Sequence, residues 1–322
     1  MTDFDPAPPA PAQSKLSDPA YLFVGDEGIR AGWGILIFIA LWFLFAAGLM
    51  FVVAKARHLP PAPQAATAHL MAVSGTLFSE GALCLAALLA TFVMSKIERR
   101  PMARFGFGGV KRLSQFLQGI FWGVACLSLL VAILHLTGHL QFDGRLLTNA
   151  AALRYGLLWL LGFLFVAGFE ESLMRGYLQS TIGRGLAGLF PARYRHAASF
   201  WSAAIILSAL FGASHGSNPG ESPFGLVAAG LAGLVFCLAL YRTGSLWWAI
   251  GFHVSWDWAQ SFLYGVADSG TMVQGHLYAT HPIGSALLSG GTTGPEGSIY
   301  LIPALAVAVA AILFTLPKTA PQ

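Results

Sequence analysis

An all-α fold, a polytopic bundle of about eight transmembrane helices, follows from three features of this sequence: scarce charge, long apolar runs, and segregated Lys and Arg residues. Only 10% of the 322 residues are charged and 56% are hydrophobic, with a mean hydropathy of +0.67, whereas soluble domains carry roughly a quarter charged residues. A water-soluble globule is excluded. The net charge of +4 is small, and the basic residues lie in particular loops instead of forming a face for nucleic acid. The partners predicted are lipid, protein or peptide, with no nucleic acid. Cys84, Cys126 and Cys237 each stand alone in an apolar run, without the paired spacing of zinc or disulfide frameworks, and read as small core hydrophobes.

Residues 1–28 are expected to be a disordered tail. The stretch up to Pro19 is rich in Pro, Ala, Ser and Asp and lacks the apolar region of a cleavable signal peptide. Residues 29–317 then form a single transmembrane domain. A helix needs roughly 20 apolar residues to cross the hydrocarbon core, and runs of about that length occur at residues 33–54, 70–94, 116–136 and 155–178. Four more lie at 200–214, 224–241, 245–266 and 299–316. The fifth and sixth are separated by a breaker stretch at 216–223, rich in Gly, Ser and Pro. The longest loop, 267–298, is rich in Gly, Ser and Thr and too polar to fold alone. No internal repeat supports an inverted-repeat transporter.

Orientation comes from the basic residues. Lys96, Arg99, Arg100, Arg104, Lys111 and Arg112 fill the loop after the second helix, and Arg184, Arg193 and Arg195 follow the fourth. Arg242, Lys318, Lys15 and Arg30 fall on the same side, against Lys55, Arg57, Arg145 and Arg154 opposite. Both termini are therefore expected in the cytoplasm.

A charge near the middle of a membrane helix costs at least about 2.5 to 3.5 kcal/mol on insertion scales, so each one demands a reason. Glu170-Glu171-Ser172-Leu173-Met174-Arg175 follows an unbroken apolar stretch. Glu171 and Arg175, four apart, are neighbours on one helix face and suited to a charge-assisted pair. Glu170 points about 100° away, toward a cavity; the plainer reading is an ion-pair cluster at the helix end. Phe211-Gly-Ala-Ser-His215 places an imidazole where an apolar helix ends, with an interfacial cap as the plainer reading. In His253-Val-Ser-Trp-Asp257 the spacing sets both side chains on one face, where the carboxylate fixes the imidazole tautomer or both ligate one metal. A self-satisfied His–Asp hydrogen bond is the alternative. Glu80 stands alone in the second helix, read first as a structural hydrogen bond; His135 and His139 read as interfacial.

Peptide hydrolysis needs an activated water, a base, and stabilisation of the tetrahedral oxyanion. A carboxylate and two imidazoles on three helices supply these directly or through a bound metal. The ordered series Glu170-Glu171-x-x-x-Arg175, Phe211-x-x-x-His215 and His253-x-x-x-Asp257 resembles the motifs of the CPBP family, the CAAX-protease and bacteriocin-processing intramembrane proteases, formerly Abi. The resemblance covers about residues 153–265 and agrees with an eight-helix architecture. It implies a CAAX-protease-like intramembrane endopeptidase with Glu170 as the base, supported by Glu171 and Arg175. His215 and His253 are then either metal ligands or, in a metal-free glutamate mechanism, groups that position water and stabilise the oxyanion. Asp257 replaces the Asn of the best-known eukaryotic members; as a better divalent-cation ligand, it adds to a His215, His253 and Asp257 set for a metal such as zinc. A bacterial inner membrane is the expected location, with a peptide or membrane-protein substrate. The competing readings are a non-catalytic membrane scaffold or immunity protein, and a proton-coupled transporter using Glu80, Glu170 and Asp257.

One expectation sits awkwardly with this set. A fifth helix starting near Ser199 puts His215 about 24 Å along it, toward the far face, while Glu170 and His253 fall nearer the cytoplasmic side.

Overall fold

The structure is a computed structural model describing residues 19–26, 28–57 and 70–318. Residues 1–18 and 27 of the expected tail lie outside that range. The tail's last part is structured: Pro19–Leu22 makes a short 3-10 turn, and β1 (Val24–Gly25) pairs antiparallel with β2 (Gly28–Ile29).

The bundle is all-α. Helix α1 (Ala31–Arg57) turns Leu36, Phe43, Leu44 and Phe51 outward, where lipid would lie, and its other face packs on α2 (Val73–Ile97). Between them comes β3 (Leu70–Met71). Helix α3 (Arg112–Leu136) leads to β4 (Leu140–Arg145), then α4 (Asn149–Glu171), a wide π-type turn at Ser172–Leu178, and α5 (Gln179–Leu186). After a tight turn come α6 (Arg195–Ser214), α7 (Pro223–Thr243) and α8 (Trp247–Asp257). A second π-type turn, Trp258–Leu263, extends α8 before β5 (Met272–Val273), β6 (Tyr278–Pro282), the short α9 (Ala286–Ser289) and α10 (Leu301–Thr315).

Six helices among the described residues are long and apolar enough to cross a membrane. All eight expected spans have a helical counterpart, although α10, with 15 residues, is only about 22 Å long at 1.5 Å per residue.

The fourth expected span, 155–178, ended too early. The helical path continues to Leu189 and is 41 residues long, because α5 is a polar helix rather than a loop. Packing partners take up its polar groups: Arg184 donates to the Ile29 carbonyl at 2.8 Å and to Glu98 Oε2 at 2.9 Å, and Gln179 Nε2 to the Phe200 carbonyl at 3.0 Å, while the hydroxyl of Tyr177, in the turn before it, donates to Glu98 Oε1 at 2.5 Å. This extension resolves the depth conflict. Glu170 lies 19 residues before Leu189 and His215 lies 20 after Arg195, so antiparallel α4–α5 and α6 bring both to one level, about 30 Å from their shared turn.

Helix α8 is the centre of the bundle. Every residue from Trp248 to Asp257 is buried, so its polar side chains must find partners on neighbouring helices. It packs most extensively on α3, and glycine sets the closeness of that approach. A Cβ on Gly119 would run into the Trp248 carbonyl, one on Gly123 into Phe252 and Ser255, and one on Gly251 into the Phe116 carbonyl. Backbone-to-backbone contact on both sides fixes the height and rotation of α8, and with them the direction of His253.

The 267–298 segment is anchored rather than free. β6 pairs antiparallel with β4, and β5 pairs in parallel with β3. Thr292 Oγ1 donates to the Gly220 carbonyl at 2.8 Å and Thr293 Oγ1 to Glu221 at 3.0 Å, tying it to the breaker stretch behind His215. Too polar to form its own core, the segment takes its order from the helix ends it covers.

Candidate active site

The two adjacent glutamates have different surroundings. Glu171 is fully buried, and its Oε1 accepts from Arg175 Nη1 at 2.9 Å. The same oxygen lies 3.2 Å from His253 Nδ1. A carboxylate so engaged only accepts, which assigns the hydrogen to Nδ1. Glu170 retains 23% exposure of its side chain and opens into a cavity.

His253 is the hub. Its Nε2 lies 3.6 Å from Glu170 Oε2 and 3.5 Å from Asp257 Oδ2, the latter one turn along α8. Phe236 of α7 stacks on the imidazole with ring centroids 5.3 Å apart. The ring is thus held by a hydrogen bond on one edge and an aromatic face on one side, leaving Nε2 toward the carboxylates.

Arg175 joins the second motif. Its guanidinium carbon sits 4.1 Å from the centroid of Phe211, a cation–π contact in a desolvated place. Phe211 also meets His215 edge to face at 4.8 Å. His215 caps α6 and its Nδ1 donates to the Phe211 carbonyl at 2.8 Å, which leaves Nε2 as the group facing the cavity. Phe211 thereby does two jobs one helical turn apart, steadying Arg175 with its ring and His215 with its carbonyl.

These groups line one cavity of about 280 Å³, walled by Glu170, His215, His253 and Asp257 together with Glu80, Asp268 and Glu296. All six site residues expected from the motifs are gathered around it, Glu171 and Arg175 from behind its wall. Glu80, expected as a structural hydrogen bond, is a lining residue as well, with Ser79 Oγ at 3.5 Å.

Sequence reading missed Asp268 and Glu296. Both belong to the anchored segment: Ser261 Oγ donates to Asp268 Oδ2 at 3.1 Å, and the backbone N–H and hydroxyl of Ser269 donate to Glu296 Oε1 at 2.5 and 2.8 Å. Burial pushes both carboxyls above their ordinary values, and for Asp268 the neighbouring Asp257 and Glu296 carboxylates push the same way. The available signal was that they are the only two acids in a 32-residue loop of Gly, Ser and Thr.

A divalent metal fits these positions poorly. Among the described residues, no three His, Cys, Asp or Glu side chains are grouped to hold one ion. His215, His253 and Asp257 share the cavity without forming a coordination set.

Residues 152–259 match a family model described as Rce1-like, type II CAAX prenyl endopeptidase, in agreement with the resemblance to the CPBP family. That stretch includes all six motif residues and supports a CAAX-protease-like intramembrane peptidase. No curated protein and no solved structure matches the chain.

Proposed function

We propose that this protein is an intramembrane endopeptidase that hydrolyses a peptide bond with a water activated by Glu170. The observation that carries the reading is the division of labour between the adjacent glutamates, Glu171 locked by Arg175 and His253, Glu170 open to the cavity. Glu170 takes a proton from a water held between it and the Nε2 lone pair of His215. The hydroxide attacks the peptide carbonyl carbon. His253, in its doubly protonated form, donates from Nε2 to the oxyanion. Glu170 then returns the proton to the departing amine nitrogen, which releases the two peptide products and restores the carboxylate. Asp257 and Glu171 bracket His253 and hold its orientation. No step is routed through a metal.

The resemblance makes a lipidated peptide with a CAAX-type C-terminus the first substrate to try. The purified chain in liposomes, incubated with farnesylated and unmodified versions of such a peptide, is expected to release the C-terminal fragment, detectable by mass spectrometry. Glu170→Gln should lose at least about a hundredfold in rate, because the amide keeps the shape but cannot accept the proton. A wild type as inert as Glu170→Gln on these peptides and on co-reconstituted membrane proteins would return the chain to the scaffold or immunity reading.

A further inference from the structure

A second, larger cleft opens at the other end of the same helices, away from the catalytic cavity. It measures about 590 Å³ and lies between the turn joining α5 to α6, the end of α7 and the segment linking α2 to α3. Arg100, Arg104, Arg184, Arg195 and His196 line it, and among the described residues no Asp or Glu does. Glu98 lies behind the wall, where it binds Arg184 at 2.9 Å and approaches Arg100 at 3.5 Å. That leaves a net excess of positive charge facing the opening. Arg104 and Arg195 are exposed, and among the described residues neither pairs with a carboxylate.

The inner end of the cleft supplies an independent demand. Arg175 reaches it, nearly fully buried, and its Nε and Nη2 have no hydrogen-bond partner among the described residues. A buried donor without an acceptor is costly. The floor and rim are aromatic: Phe200, Trp201 and Tyr241 pack together with centroids 5.0 to 5.5 Å apart, and Phe200 and Tyr241 line the cleft. Aromatic residues beside arginines, where apolar helices end, mark the level of lipid headgroups.

The geometry points to a phosphate-binding site in this cleft, filled by the headgroup of an anionic phospholipid whose chains run down the outer faces of α6 and α7. Arginine suits the role because its planar fork pairs with phosphate oxygens bidentately. The apolar outer surface around Ile205, Ile206 and Leu231 gives the acyl chains a place to lie. The site is separate from the hydrolytic reading and stands whether or not the protein cuts peptides.

The test uses the full chain purified in a mild neutral detergent, titrated with short-chain phosphatidylglycerol, phosphatidylcholine of equal chain length, or inorganic phosphate. Binding is followed by the thermal melting midpoint and by lipid retention in native mass spectrometry. Phosphatidylglycerol should raise the midpoint saturably and phosphatidylcholine should not. Arg104→Gln combined with Arg195→Gln should weaken phosphatidylglycerol at least tenfold, about fivefold per arginine. Arg104→Lys with Arg195→Lys should weaken it less than the double Gln variant but measurably, since the charge stays while the bidentate fork is lost, and Arg154→Gln at the opposite end should leave it unchanged. Both altered arginines are exposed, so the unliganded midpoint of the double Gln variant should match the wild type. If inorganic phosphate stabilises the chain as well as the lipid and displaces it, the phosphate site stands and its ligand is a soluble phosphate compound, which overturns the lipid assignment. Equal binding of the two lipids, or undiminished phosphatidylglycerol affinity in the double Gln variant, overturns the site itself.

Discussion

Glu170 and Glu171 are chemically identical neighbours whose roles are set by what each touches. Glu171 shares one oxygen between Arg175 and His253 while its Oε2 has no hydrogen-bond partner among the described residues, so its charge depends on Arg175 for compensation. Arg175→Ala should therefore destabilise the protein by about 3 to 5 kcal/mol, the cost of stranding one member of a buried pair, and lower activity with it. Thermal melting in detergent measures the first and peptide release the second; an unchanged midpoint would mean that Glu171 is compensated elsewhere. Asp257 bears on the metal question. The cavity residues form no three-donor group, so chelators should leave the rate unchanged and Asp257→Asn should act only through the orientation of His253. Reversible loss of activity on chelation, restored by zinc, would show that His215, His253 and Asp257 rearrange around an ion. The motif residues were readable from sequence because i,i+4 spacing and misplaced charge are local signals. Phe236 gave none, being one apolar residue among many on α7, although it stacks on the central imidazole.

Elements position these side chains through contacts that hydropathy does not record. The α3–α8 seam rests on Gly119, Gly123 and Gly251, where any side chain meets opposing backbone. Gly119→Val should push α8 outward, costing about 1 to 3 kcal/mol as overpacking does. Activity should fall by more than that loss of folded protein accounts for, because His253 moves relative to Glu170. Activity per folded molecule, corrected by melting curves, checks this; a variant that melts earlier but cuts normally would remove the seam from the site's geometry. The anchored 267–298 segment carries a pH-dependent cost. Asp268 keeps its proton well above the ordinary 3.8 when folded, so below about pH 4 both folded and unfolded forms are protonated and nothing is lost. As pH rises past that value the unfolded chain releases the proton while the folded one holds it, and stability falls. Asp268→Asn should flatten that decline, and melting midpoints between pH 4 and 8 would reveal it; a slope equal to that of wild type would show that Asp268 ionises freely in the fold. The sequence offered eight apolar runs but hid the length of the fourth helix, since the polar residues of α5 look like a loop until Glu98 and Ile29 are seen to satisfy them. It hid the two acids of the 267–298 segment for a related reason, since their order comes from strand pairing with distant residues.

At the scale of the whole molecule, the hydrogen bonds sort the loops into two sides. On one, β4 pairs with β6 and β3 with β5, so the segments before α2, after α3 and after α8 lie together. On the other, the Leu246 N–H donates to the Gly106 carbonyl, Arg184 bonds to Ile29 and Glu98, and Arg242 donates to the Leu313 and Leu316 carbonyls. That joins the segments before α1, after α2, after α5, after α7 and after α10. This is the alternation that an even number of spans requires, and it coincides with the division of basic residues, 12 Lys and Arg among the described residues on the second side against four on the first with Arg175 set aside. The relative placement of the loops was thus legible from charge counting, whereas the pairings that enforce it, linking residues as far apart as Leu70 and Met272, were not. Because short basic loops stay on the cytoplasmic side, the Arg-rich side should face the cytoplasm. The native cysteines are all buried, so single engineered cysteines report with little background. Arg104→Cys, Arg193→Cys and Lys318→Cys should react with a membrane-impermeant maleimide only after the membrane is opened, and Asp143→Cys should react in intact cells. The pattern discriminates sharply, since all four positions are exposed and differ only in side. Labelling of Arg104→Cys in intact cells with protection of Asp143→Cys would invert the protein, and would place the phosphate-binding cleft on the outer face with it.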